Sequence, residues 1–228
     1  MGLTDSLARR GAFPMVAVAL LAGLACGTEE KLAAPTANAK PSVQSLEAAP
    51  KYDFEDSLTG WVPQDYKDSR ACTAVKTCTT TAKHGQRSLE MTMNLAAQNA
   101  ESSKGEAWVD MLQHPPDGLE APLDLRGRTI TVWVYAPRGA AGDPSAPNGF
   151  QVFVKDSQWR GEYGKWSNIE EGTWTRVTLT VTDKTPAGGW MADSFNPNEI
   201  IAVGMKMGAG GASRAKYKGP VYLDAVDW

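Results

Sequence analysis

Three large aromatic residues, Trp159, Tyr163 and Trp166, stand among hydrogen-bonding residues in the stretch DSQWRGEYGKW. A sugar ring has an apolar C–H face that can lie on an aromatic plane, and a polar rim that needs donors and acceptors. This mixture of rings and polar groups therefore matches the chemistry of a sugar. Packing in the core is the alternative for any single Trp of a β protein, but several in one polar loop favour binding.

The residues just before this loop, GFQVFVKD, alternate as in a half-buried β-strand. The apolar side of the strand consists of Phe150, Val152 and Val154. The opposite side carries polar residues, and the aromatic loop begins directly after the strand. We therefore expect polar groups and aromatic rings to lie close together on that side. The residues predicted to bind ligand from this stretch are Gln151, Phe153, Lys155, Trp159 and Trp166.

Catalytic chemistry finds little support in the sequence. A glycosidase needs two carboxylates across the scissile bond, whereas Glu170 and Glu171 are adjacent and would point to opposite faces of a strand. The chain has two histidines, His84 and His114, so neither a metal-hydrolase nor a Ser-His arrangement can be assembled. We expect no enzyme; a polysaccharide lyase or hydrolase is the less favoured alternative.

From Lys51 onward, short alternating segments are separated by Gly, Pro, Asn and Asp, which is typical of an all-β sandwich or barrel. The clearest strand is RTITVWVYA, in which Ile130, Val132 and Val134 form an apolar face and Trp133 lies opposite. If this strand shares a sheet with GFQVFVKD, Trp133 and Phe153 lie together at the base of the ligand site.

The first fifty residues differ from the rest. Ala12 to Ala25 form an apolar run behind Arg9 and Arg10, too short for the roughly 20 residues of a membrane span but suited to a secretory signal. Cys26 closes this run in a way that resembles the lipobox of bacterial lipoproteins. Residues 1–25 are thus predicted as a signal peptide and Cys26 as lipidated, which anchors the exported chain to the bacterial cell envelope; cleavage near Cys26 that releases a secreted protein is the alternative.

The segment 26–51 is rich in Ala, Pro, Ser, Thr and charge and has no aromatic residue before Tyr52, so it cannot bury enough surface to fold. We interpret it as a tether to a domain at 52–228. The net charge of −3 becomes −4 without residues 1–25, which carry Arg9 and Arg10 against Asp5. With no basic patch, nucleic acid is not expected as a partner.

The chain has three cysteines. If Cys26 carries a lipid, an oxidising compartment leaves Cys72 and Cys78 to pair with each other. We therefore predict a disulfide between Cys72 and Cys78 that closes a small loop.

In order along the chain, FEDSLTGW, HGQRSLEM, RTITVWVYAP, NGFQVFVKDSQW and VYLDAVDW resemble strands of the β-jelly-roll carbohydrate-binding modules of the galactose-binding-like superfamily. The resemblance covers residues 52–228 and implies an all-β fold of two antiparallel sheets, a two-sheet β-sandwich. It implies non-catalytic binding of a polysaccharide or oligosaccharide, plant-type or from a cell surface, by a monomer. A protein-protein or envelope-assembly module on the same fold is the alternative.

Many such modules hold a structural calcium ion between the first strand, the turn before the Ser-Leu strand and the last strand. Carried over by position, the resemblance implies Ca²⁺ bound by carboxylates of Glu55, Asp224 and Asp53, beside carbonyl groups near Lys83 to Gln86. Calcium requires hard oxygen ligands of this kind.

Overall fold

The computed structural model describes residues 49–66, 69–96, 103–209 and 216–228. These residues form twelve strands and no helix. The strands are β1 (Val62–Pro63), β2 (Cys72–Cys78), β3 (Ser88–Ala96), β4 (Lys104–Asp110), β5 (Thr129–Tyr135), β6 (Asn148–Asp156), β7 (Gly161–Tyr163), β8 (Ser167–Asn168), β9 (Trp174–Thr180), β10 (Trp190–Met191), β11 (Ile200–Ala209) and β12 (Lys216–Asp227).

The strands form two antiparallel sheets. Seven strands make up the first, in the order β1-β4-β11-β6-β7-β10 with β8 paired to β6. The second has five strands in the order β2-β3-β12-β5-β9. This arrangement confirms the predicted all-β, two-sheet antiparallel sandwich. Sequence neighbours such as β5 and β6 lie in different sheets, so the chain crosses between the sheets repeatedly.

The core lies between the two sheets, as the alternation of apolar residues requires. From the seven-stranded sheet it takes Phe150, Val152 and Val154 of β6, as predicted, and from the other sheet Ile130, Val132 and Val134 of β5. Trp61, fully buried, packs edge to face against Tyr52 and Phe54, with ring centroids 5.9 Å and 5.7 Å away. This aromatic cluster closes the core at the start of the domain.

The pairing of strands corrects one prediction. The expectation that Trp133 and Phe153 share a sheet is wrong, because β5 pairs with β9 and β12 whereas β6 pairs with β7, β8 and β11. Both residues point away from the core, whereas the two sheets pack against each other through their core-facing sides. Trp133 and Phe153 therefore lie on opposite outer surfaces of the sandwich.

The predicted Cys72–Cys78 disulfide is also wrong, since both thiols are free. The two residues are the first and last of the single strand β2 rather than the two sides of a turn. Six extended steps of about 3.3 Å place their Cα atoms roughly 20 Å apart, far beyond the approximate 7 Å limit for a disulfide. Burial raises the pKa of the Cys72 thiol to about 12, which keeps it protonated.

The predicted signal peptide, Cys26 and most of the tether lie outside the described residues. Within the described ranges there is no helix long and apolar enough to cross a membrane.

Candidate functional site

One row of side chains crosses the outer face of the seven-stranded sheet from edge to edge. Strand register aligns, in neighbouring positions, Val62 of β1, Trp108 of β4, Gly204 of β11, Phe153 of β6, Tyr163 of β7 and Trp190 of β10. Four of the six are aromatic. Because residues aligned in register project to the same side of a sheet, these rings form one surface.

The row carries an exposed ring at its β10 end and covered rings in its middle. Trp190 is 54% exposed, whereas Phe153 is only 1% exposed. Phe153 stacks on Tyr163 with centroids 5.0 Å apart and planes 23° apart, and its ring lies over Gly204, where any Cβ would collide with it. A ligand on this face would therefore meet Trp190 first, with Tyr163, only 9% exposed, and Phe153 as support beneath.

Trp159 adds a second exposed ring beside the row, in the turn between β6 and β7. It is 50% exposed, and its ring meets that of Trp108 edge to face. Its backbone is left-handed, with φ of 60°. Such a conformation is uncommon for a bulky residue and must be imposed by the surroundings.

The carboxylate of Asp156 imposes this turn. It accepts hydrogen bonds from the backbone N–H groups of Gln158, Arg160 and Asn196, at 3.0, 2.9 and 2.9 Å, and pairs with Nε of Arg160 at 2.8 Å. Asp156 itself is fully buried. The sequence DSQWR therefore folds around its own first residue, and this fixes the position at which Trp159 leaves the sheet.

Polar groups flank the row on both sides. On one side, Nζ of Lys155 donates a hydrogen bond to Oη of Tyr163 at 2.9 Å. On the other, Nζ of Lys206 forms an ion pair with Glu106 at 2.7 Å and lies 4.3 Å from the Tyr163 ring centroid. The side-chain amide of Gln151 donates to the carbonyl of Gly164 at 2.6 Å, so Gln151 holds the backbone and is itself buried.

Trp166 borders the same face. A Cβ on Gly149 would lie 3.3 Å from Cε3 of Trp166, so the indole occupies the space that this glycine leaves. Gly149 alternates in step with Gln151 and Phe153, which places the ring of Trp166 on the outer side of the sheet.

Five of the six predicted ligand residues are thus brought together on one face: Gln151, Phe153, Lys155, Trp159 and Trp166. Trp133, on the other sheet, lies beneath Nζ of Lys83, which is 3.9 Å from its ring centroid. The predicted ligand residues did not include Trp108, Trp190, Lys206 and Glu106, and Tyr163 was identified only as one ring of the aromatic loop. The signal for two of them is in the sequence: in EAWVDMLQ, Trp108 alternates with Ala107 and Val109, and in IIAVGMKM, Lys206 alternates with Met205 and Met207. Strand pairing, which brings these residues to the site, is not.

A buried carboxylate lies on the inner side of the same sheet. Glu162 of β7 is fully buried and accepts the backbone N–H of Thr182 at 3.2 and 3.3 Å. Burial, only partly offset by this hydrogen bond, raises the pKa of Glu162 to about 7.

Two of the three carboxylates predicted to hold calcium, those of Glu55 and Asp224, converge on the loop 83–87. Glu55 accepts the backbone N–H groups of Gln86 and Arg87, and Asp224 accepts those of Lys83 and His84. The loop therefore turns N–H groups, not carbonyl oxygens, toward both carboxylates. Asp53 accepts the N–H of Glu55 at 3.2 Å. In the described ranges no three His, Cys, Asp or Glu side chains form a group that could hold a metal ion.

No protein-family model matches the chain, and no curated protein matches it. Several solved structures are similar to it. The module CBM27-1 of Caldicellulosiruptor saccharolyticus, in complex with mannohexaose, has 14% identity and a TM-score of 0.48 over 76% of this chain and 92% of that one.

Two further carbohydrate-binding modules are comparably similar. The xylan-binding module CBM15 has 16% identity and a TM-score of 0.45, over 73% of this chain and 88% of that one. CBM28, specific for non-crystalline cellulose, has 11% identity and a TM-score of 0.45, over 79% and 94%. Because the sequence identities and TM-scores are this low, mannohexaose, xylan and cellulose are stated here only as ligands of those other proteins.

Proposed function

We propose that the protein binds a polysaccharide chain along the outer face of the seven-stranded sheet. The observation that supports this is the row from Val62 to Trp190, with Trp159 beside it. Six strands at about 4.8 Å spacing give the row a length of roughly 24 Å, which is more than one sugar ring needs. The exposed indole of Trp190 at the β10 end of the row and that of Trp159 beside Trp108, with donors and acceptors between them, suit a linear chain of sugars.

The proposed binding involves no cleavage of the ligand. The two carboxylates on the β4 side of the face are Glu106 and Asp110, four residues apart and therefore about 13 Å apart along the strand. Paired glycosidase carboxylates lie roughly 5 to 9.5 Å apart. Each is also held in place, Glu106 by Lys206 and Ser69, and Asp110 by the backbone N–H of Leu112 and the amide of Gln113.

The test is binding of the full chain to insoluble xylan, mannan and cellulose, followed by titration with soluble oligosaccharides of whichever is bound. A W159A/W190A double variant should lose binding. The matched control is W174A, which removes a Trp from the outer face of the other sheet and should bind as the wild type does. Equal binding by wild type and double variant would refute the proposal.

We further propose that a lipid on Cys26 and the tether after it hold the domain at a bacterial membrane surface. This proposal rests on the sequence pattern at 12–26. Extended at about 3.1 Å per residue, the tether reaches on the order of 80 Å, so a monomeric domain could reach polysaccharide away from the membrane. Replacing Cys26 with Ala should release the protein from the membrane fraction, and unchanged attachment would contradict it.

A structural calcium ion is a separate proposal. Its support is that Glu55 and Asp224, from opposite ends of the domain sequence, converge on the loop 83–87, as the family resemblance implied. Asp224 is fully buried, and burial raises its pKa to about 6 despite the N–H groups it accepts. Carboxylate oxygens are ligands that calcium prefers.

A further inference from the structure

Two lysines lie on the aromatic face, and they differ in what balances their charge. Nζ of Lys206 contacts Glu106 at 2.7 Å, and Glu106 is further held by the hydroxyl of Ser69 at 2.9 Å. The ion pair leaves Lys206 with its charge neutralised within the protein. Among the described residues no carboxylate lies within ion-pair distance of Lys155.

The carboxylates nearest to Lys155 are already engaged. Asp156 follows it in the chain but points to the opposite side, where it is paired with Arg160. Glu106 is paired with Lys206. The ammonium group of Lys155 donates to Oη of Tyr163, lies 4.8 Å from that ring centroid, and covers the space that a Cβ on Gly161 would fill.

An ammonium group with three N–H donors and one protein acceptor leaves hydrogen-bonding capacity at the face. It is also partly desolvated, and burial lowers the pKa of Lys155. A partly buried charge without a counterion is costly, and an anion bound beside it removes that cost. The aromatic surface around Lys155 is the one proposed to bind sugar rings. The anion that pairs with Lys155 is therefore expected to be a charged group of a sugar.

We propose that the ligand contains uronic acid residues and that Lys155 pairs with the carboxylate of one of them, next to Tyr163. This inference rests on the proposed function, since it specifies which polysaccharide class the same face selects. A uronate carboxylate can accept a charge-assisted hydrogen bond from Lys155 while its sugar ring lies along the aromatic row.

The test is isothermal titration of the full chain with uronic-acid oligosaccharides, each paired with its methyl ester. The ester keeps the sugar and linkage but removes the charge. Galacturonan and glucuronoxylan fragments are the first two pairs, beside neutral xylan and mannan fragments. An acidic oligosaccharide should bind about tenfold more tightly than its ester, the scale of a charge-assisted hydrogen bond.

Lys155→Met keeps the length and apolar contacts of the side chain. This variant should lose the preference and bind the acid no more tightly than its ester. Lys184→Met, at an exposed lysine in the loop after β9, is the control and should keep the preference. Tight binding of neutral fragments with no preference for acids would overturn the inference and leave the proposed function standing. Absence of binding to every glycan, acidic or neutral, would overturn both.

Discussion

The indole of Trp159 meets the indole of Trp108 edge to face, with centroids 5.1 Å apart and planes at 83°. One ring comes from a tight turn and the other from β4, on the far side of β11 from that turn's own strand. The contact links the end of the β6–β7 hairpin to the aromatic row, so the exposed ring of Trp159 is held in place before any ligand arrives. Preorganised rings bind with a smaller entropy cost.

Trp159→Ala should therefore weaken binding to a confirmed oligosaccharide by about 2 kcal/mol or more, which is the scale of an interface hot spot. The variant removes an exposed ring outside the core, so circular dichroism should show an unchanged fold. Isothermal titration measures the affinity. Wild-type affinity, or loss of the fold, would show that Trp159 is not a binding platform.

Asp156→Asn should weaken binding indirectly, because Asp156 holds the turn that presents Trp159. An amide in place of the carboxylate loses the ion pair with Arg160 and turns an N–H₂ group toward backbone donors. We expect a loss of about 1–3 kcal/mol in the free energy of unfolding, measured by denaturant titration.

The same substitution in the W159A background should have no further effect on affinity, since the ring that Asp156 positions is then gone. Asp193→Asn, at an exposed carboxylate nearby, is the control for stability. Additive losses of affinity in the double variant would show that Asp156 does not act through Trp159.

Glu162 should make the protein less stable as pH rises. Its pKa is about 7 in the folded state, against an ordinary value near 4.3. Below about pH 4.3, Glu162 is protonated in both the folded and the unfolded state, so it does not lower the free energy of unfolding. Between the two values the folded state holds a proton that the unfolded state has lost, so the free energy of unfolding falls as pH rises through about 7, by on the order of 3 kcal/mol.

Glu162→Gln should flatten this dependence, because the amide cannot ionise and its oxygen can still accept the N–H of Thr182. Melting temperatures at pH 5 and pH 8 measure it, with Glu120→Gln at an exposed position as the control. Asp224 contributes a change of the same sign at lower pH, since burial raises its pKa to about 6. An equal slope in E162Q and the wild type would contradict the assignment to Glu162.

Calcium should raise the melting temperature if an ion binds at Glu55 and Asp224, since a ligand of the folded state stabilises it by mass action. Excess chelator should reverse the rise, and Asp224→Asn should abolish it. If neither calcium nor chelator changes the melting temperature, the backbone N–H groups of 83–87 are sufficient hydrogen-bond partners for these carboxylates, and no ion binds there.

Local patterns were enough to predict much of the fold and part of the site. Alternation in β6 placed Gln151, Phe153 and Lys155 opposite the core, because the side-chain period of a strand depends only on neighbouring residues. The same rule applied to RTITVWVYA correctly separated Trp133 from the core of the sandwich. It could not show which sheet the strand joins, because strand pairing depends on contacts far apart in sequence.

The row of aligned side chains could not be predicted from the sequence, for the same reason. Trp108, Phe153 and Tyr163 become neighbours only through the register of β4, β11, β6 and β7. The covering of Phe153 likewise depends on Gly204, a residue distant in sequence that leaves room for its ring. Nothing local to GFQVFVKD distinguishes an open Phe from a covered one.

The positions of Cys72 and Cys78 at the two ends of β2 also decide what joining them would cost the fold. β2 pairs with β3 from Cys72 opposite Met93 to Cys78 opposite Ser88. Bringing the two sulfur atoms within bonding distance would require the strand to fold back on itself and give up this pairing. Because β2 is the edge strand of its sheet, such a cross-link would form only at the expense of one edge of the sandwich.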